Sequence, residues 1–99
     1  MPNPGYNEEI LERIKEDIGD GDKSDLIVFN DDVNTIDWVV ECFVEVCGLS
    51  PEEAVEKTLY IHYNGQGIVR SGEYYEMKAM KDELVRRGLT AIVGRAGKN

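Results

Sequence analysis

The chain is poor in the residues that ordinarily build a metal centre or a nucleophilic site. Among 99 residues there are one histidine, two cysteines and one tryptophan. One histidine and two cysteines do not complete a zinc ligand set. No nucleophile–base pair is recognisable, so neither an enzyme nor a bound cofactor is expected. If Cys42 and Cys47 share a helix, five residues separate them by roughly 140° around its axis, which excludes a mutual disulfide. They read as reduced core residues of an intracellular protein. Basic residues are also scarce, 11 against 20 acids, for a net charge of −9. That charge is −5 over residues 1–25, −7 over 26–75 and +3 over 76–99. A phosphate backbone would be repelled by most of the chain, whereas cations and ammonium groups would be attracted. Apolar runs stop after a few residues, as at 26–29 and 38–40, too short to span a membrane.

What remains is an ordinary globular mixture, 41% hydrophobic and 31% charged, of a length for one domain. The opening Met1-Pro2-Asn3-Pro4-Gly5 lacks the basic start and apolar stretch of a secretory signal, so a cytoplasmic location is expected. Residues 1–24 read as a flexible acidic extension, closed by Gly19-Asp20-Gly21-Asp22. Within it Asn7 is a fair cap for a short helix with Ile10, Leu11, Ile14 and Ile18 on one side. Residues 25–94 form the expected domain and 95–99 a tail.

The domain opens with Leu26-Ile27-Val28-Phe29, an apolar run of strand length ended by the turn composition Asn30-Asp31-Asp32. Ile36, Val39, Val40, Phe43, Val46 and Cys47 recur at helical spacing, and Gly48 supplies the stop. Ser50-Pro51-Glu52-Glu53 combines a cap, a proline at the first helical position and the acid of a capping box. That helix runs to about His62 and is broken by Asn64-Gly65. A strand is expected over 67–71, a helix over 73–87 burying Met77, Met80 and Leu84, and a last strand over 89–93. The order β-α-α-β-α-β predicts an α+β sandwich, three helices on a small three-stranded sheet.

Two features carry chemistry. Asn30-Asp31-Asp32 sits at a strand end and helix entry, where carboxylates also serve as plain caps. His62, on an apolar helix side near Thr58 and Ile61, is equally readable as a structural histidine. Brought together, an amide oxygen, carboxylates and an imidazole nitrogen would all accept hydrogen bonds from an ammonium. Beside Val28, Ile36, Val39, Thr58 and Ile61 they would frame an apolar hole with a polar rim. A free α-amino group bearing a large hydrophobic side chain matches both halves.

The stretch from Val28 through Asn30-Asp31-Asp32 to Val40 resembles the strand–Asn-Asp-Asp–helix signature of the ClpS family of Clp protease adaptors. The helix from Glu52 to Ile61-His62, followed by Asn64-Gly65-Gln66-Gly67, resembles its second hallmark. The resemblance covers about residues 25–93 and implies a fold like that of ClpS and of the ribosomal stalk C-terminal domain. It implies an adaptor that binds the N-terminal residue of N-degron substrate proteins and delivers them to a Clp AAA+ unfoldase, ClpA- or ClpC-like. Asn30, Asp31, Asp32 and His62 would serve the α-amino group. Val28, Asn34, Ile36, Val39, Thr58, Ile61 and Ala91 would line a pocket for Phe, Leu, Tyr or Trp. A monomer is expected, with no nucleic acid or membrane partner. In the family, an N-terminal extension enters the unfoldase during delivery. The chain departs from the family at Val33-Asn34-Thr35, where Tyr-Thr-Pro is usual, and at Ile36 and Thr58, where methionine is common. The region from Arg70 to Met77 is about four residues shorter than in familiar members. The other reading is a protein–protein docking module of the same fold in which Asn30 and His62 are structural.

Overall fold

The computed structural model describes residues 23–95, so the short helix expected between Asn7 and Ile18 and the tail beyond Arg95 lie outside the described residues. Strand β1 spans Ser24–Phe29, helix α1 Ile36–Cys47, helix α2 Pro51–Asn64, strand β2 Gln66–Gly72, helix α3 Tyr74–Arg86 and strand β3 Thr90–Arg95. The expected β-α-α-β-α-β order is the one found. The first and last strands of the chain extend past the expected ends, to Ser24 and Arg95.

Local chemistry sets the element boundaries. The Thr35 side chain caps α1 by accepting from the Trp38 amide at 3.1 Å. At α2 the full capping box forms: the Glu53 amide donates to Ser50 Oγ at 3.1 Å and the Ser50 amide to Glu53 Oε1 at 3.2 Å. Gly48 and Gly65 end α1 and α2 at φ 69° and 91°, a conformation that costs glycine no Cβ clash. The last turn of α3 closes as the Leu89 amide reaches back to the Leu84 carbonyl at 3.0 Å.

The three strands form one antiparallel sheet, β2-β1-β3, with β1 central. Alternation along β1 buries Ser24, Leu26 and Val28 on the helix side. Leu26 and Val28 pack with Val69 and Ala91, and with Cys42, Phe43, Cys47, Ala54, Ile61, Met77 and Leu84 of the helices. The thiols are two of the core's space-filling groups, and burial pushes that of Cys47 up to about 11. Met80, expected inside, is only partly buried at the margin. On the other side of the sheet Ile27 aligns with Ile68 and Ile92, both of which are half exposed.

A bulge in β2 breaks strict alternation. Leu26 pairs with Arg70 but Ile27 pairs with Ile68, so Val69 is the extra residue. The bulge leaves Arg70 opposite inward-facing Leu26, and its guanidinium donates to the Cys47 carbonyl at 2.7 Å. Helix α1 has no basic residue in its own last turn. Arg70 therefore supplies from the sheet the cation that the helix C-terminus lacks.

Gly67 marks a close approach of sheet to helix. A Cβ there would lie 2.9 Å from a Tyr60 ring carbon and 3.0 Å from Ile61 Cγ1. Gly67→Ala is predicted to lower stability by about 1–3 kcal/mol, the range for overpacking, read as a lower urea midpoint at unchanged slope.

Candidate functional site

The site forms where the end of β1 meets the end of α2. The Asn30 amide donates to the Gly65 carbonyl at 2.9 Å, binding the polar turn after β1 to the residue that caps α2. His62 lies in the last turn of that helix, so this bond brings the two sequence motifs, thirty residues apart, to one place. Between them opens a cavity of about 230 Å³ lined by Val28, Phe29, Asn30, Asp31, Asp32, Asn34, Ile36, Val39, Thr58, Ile61, His62 and Leu89. That volume falls below the roughly 300–1,000 Å³ of drug-sized sites and is on the scale of a single side chain.

The lining has two zones. Val28, Thr58, Ile61 and Leu89 are buried, between 2% and 5% exposed. Asn30, Asp32 and His62 are exposed, and Ile36 stands at the mouth, 42% exposed. The His62 ring meets Tyr63 edge to face at 5.1 Å. Among the described residues no group is hydrogen-bonded to the Asn30 side chain, the Asp32 carboxylate or the His62 imidazole. A ligand at the mouth finds an amide oxygen, a carboxylate and a ring nitrogen with capacity to accept.

Asp31 differs from its neighbours. Its Oδ1 accepts from the Val33 amide at 3.0 Å and the Asn34 amide at 2.9 Å, and Asn34 Nδ2 donates to both of its oxygens. The same Asn34 nitrogen donates to the Gly88 carbonyl at 2.9 Å. Asp31 and Asn34 therefore buckle the loop and tie it to the α3–β3 turn. A second tie runs alongside, from Trp38 Nε1 to the Arg87 carbonyl at 3.2 Å. The Asn34 amide, foremost, holds the Asp31 carboxyl below its ordinary value of 3.8, with the Asn34 side chain and the Val33 amide adding to it.

Of the residues expected at the pocket, all but Ala91 line it. Ala91 is buried on the sheet opposite Val28, and Leu89, two residues earlier, takes the lining position. The signal for Leu89 lay in the helix stop. A hydrophobic residue directly after the terminating glycine commonly packs back on the helix end, and Leu89 follows Gly88, whose φ is 98°. Phe29, the remaining unforeseen lining residue, follows Val28 directly in β1.

These features define a class: a small α+β domain presenting a side-chain-sized apolar pocket with hydrogen-bond acceptors at its rim. A family model described as ATP-dependent Clp protease adaptor protein ClpS matches residues 21–92. The chain belongs to the ClpS family of Clp protease adaptors. It is 39% identical to the ATP-dependent Clp protease adapter protein ClpS of Nostoc sp. (strain PCC 7120) over 66 residues, 66% of this chain and 68% of that one. The namesake protein of Corynebacterium aurimucosum is 30% identical over 98% of this chain and 89% of its own. Among solved structures, Agrobacterium tumefaciens ClpS2 bound to L-phenylalaninamide superimposes with a TM-score of 0.66 at 18% identity, covering 75% of this chain and 96% of that one. That likeness speaks to the fold. No helix among the described residues is long and apolar enough to cross a membrane.

The Asp31 buckle generates a pH prediction. A carboxyl held low in the fold contributes stability in full above its unfolded value and loses it as pH falls through the folded one. Exchange of the Val33 and Asn34 amides should be slow, once corrected for intrinsic rate, near pH 6. Their protection should collapse below about pH 3.8, ahead of the core amides. Asp31→Ala should abolish that protection already at about pH 6.

Proposed function

We propose that this protein recognises the free α-amino group and the large hydrophobic first residue of N-degron substrates and delivers them to a Clp AAA+ unfoldase, ClpA- or ClpC-like. The observation that carries the reading is the unengaged set of Asn30, Asp32 and His62 acceptors on the rim of a cavity floored by Val28, Thr58, Ile61 and Leu89. An ammonium donates three hydrogen bonds and carries the charge that the Asp32 carboxylate attracts. Asp31 and Asn34 hold the loop on which Asn30 and Asp32 stand. No bond is made or broken: the protein is an adaptor rather than an enzyme, needs no cofactor, and acts as a monomer in the cytoplasm. The Agrobacterium relative's ligand, L-phenylalaninamide, combines a free α-amine with a Phe side chain, the two halves this pocket offers to match.

The energetics suffice. Burying a Phe or Leu side chain contributes about 1.5–3 kcal/mol, and hydrogen bonds to a charged group about 1.5–3 kcal/mol each. After the cost of association a micromolar complex, roughly −8 kcal/mol, is within reach. Anisotropy with a labelled Phe-initiated peptide should show saturable binding, weakened at least about tenfold by N-acetylation and absent for a Gly-initiated twin. Equal binding of the free and acetylated peptides would refute the reading. If no peptide binds, the docking module of the same fold takes its place.

His62 supplies a second test. The imidazole nitrogen would accept from the ammonium, and a leucine of similar size would not. His62→Leu should weaken binding of the free Phe peptide about tenfold while leaving the melting temperature unchanged. Equal affinity in both proteins removes His62 from direct contact.

A further inference from the structure

Of the four buried residues that line the cavity, three are hydrocarbon and one is not. Val28, Ile61 and Leu89 offer only apolar surface, and Thr58, 3% exposed, is the single polar side chain among them. Its hydroxyl proton is already committed, since Thr58 Oγ1 donates to the Ala54 carbonyl at 2.7 Å inside α2. A hydroxyl oxygen has two lone pairs beside its one proton. Among the described residues no group donates to this one. The pocket lining therefore includes a residue whose hydroxyl oxygen has lone pairs free to accept, and which becomes a donor only by giving up its bond to the Ala54 carbonyl.

We propose that Thr58 Oγ1 accepts a hydrogen bond from the phenolic hydroxyl of a substrate's N-terminal tyrosine, so that the pocket favours Tyr over Phe. The inference rests on the α-amino-binding reading of this pocket and sharpens it to one side chain. A phenol entering a wholly apolar floor gives up its water and finds no partner, which disfavours Tyr against Phe. With its proton spent, Thr58 reverses that order for a ligand whose far end is a donor. Fluorine at the same ring position fills similar space and donates nothing, so 4-fluorophenylalanine separates the hydrogen bond from size.

The test uses the intact protein and three peptides that differ only in their first residue: Tyr, 4-fluoro-Phe and Phe. Each is measured by competition against a labelled Phe-initiated peptide. The expected result is that Tyr binds about three- to tenfold more tightly than 4-fluoro-Phe, the span of one neutral hydrogen bond. Thr58→Val, which keeps the branched shape and removes the oxygen, should bring that ratio to one or below. Thr58→Ser, which keeps the hydroxyl, should preserve it. Native protein that binds 4-fluoro-Phe as tightly as Tyr overturns the proposal without any variant being made. So does a ratio that survives in Thr58→Val. Equal binding of free and N-acetylated Phe peptides would instead strike the pocket reading itself and take this proposal with it. Binding that depends on the free amine, with no Tyr preference, strikes Thr58 alone.

Discussion

The site depends on one backbone hydrogen bond, from the Asn30 amide to the Gly65 carbonyl. Each partner stands at an awkward point of the chain. Asn30 has just left the central strand, and Gly65 sits past the end of α2 with φ 91°. Joining them satisfies a donor and an acceptor that neither sheet nor helix could use, and it closes the gap between the polar turn and the histidine. Loss of this junction would leave two motifs on separate elements, each with a bland structural role. With it, Val28 below and Ile61 behind become walls of one hole.

The Gly67 contact serves the same end. Lacking a Cβ, Gly67 lets β2 run close to Tyr60 and Ile61, so the last turn of α2 stays pressed toward the sheet edge and does not ride above it. Farther out, Asn34 and Trp38 bond to carbonyls of the α3–β3 turn, holding the opposite wall by neutral hydrogen bonds. Arg87 meets Glu45 and Glu83 beside that wall. Exposed pairs of that kind contribute little to stability singly. The pocket is thus held mainly by backbone geometry and close packing, while its charged rim is left unengaged.

Much of this was legible in the sequence because it is written in short-range chemistry. Ser50, Pro51 and Glu53 mark the start of α2, Gly48 and Gly65 mark helix ends, and the apolar run 26–29 marks β1. The meeting of Asn30 with His62 followed from the family resemblance, since nothing in local spacing brings positions 30 and 62 together. What could not be read was the division of labour inside Asn30-Asp31-Asp32. Three similar polar residues differ only in where the loop turns their side chains, and the turn spends Asp31 on amides two and three positions ahead. Ala91 and Leu89 exchanged places for a related reason. Strand alternation puts Ala91 on the inner side, but the cavity lies beyond the strand's end, where the helix stop delivers Leu89.

The bulge in β2 lets the strand place two consecutive side chains on the helix side. With Val69 as the extra residue, Arg70 faces the helices and reaches the Cys47 carbonyl. Excising Val69 would leave Ile68 opposite Ile27, Arg70 opposite Leu26 and Ser71 opposite Asp25, so the ladder would close without a slip. The Arg70 bond to α1 and the Ser71 hydroxyl bond to Asp25 would both survive, and the loss would be one buried side chain. A residue removed elsewhere in the strand has no such slack and would turn the positions beyond it to the other side of the sheet. Length variation in this strand is therefore absorbed at the bulge and resisted on either side of it.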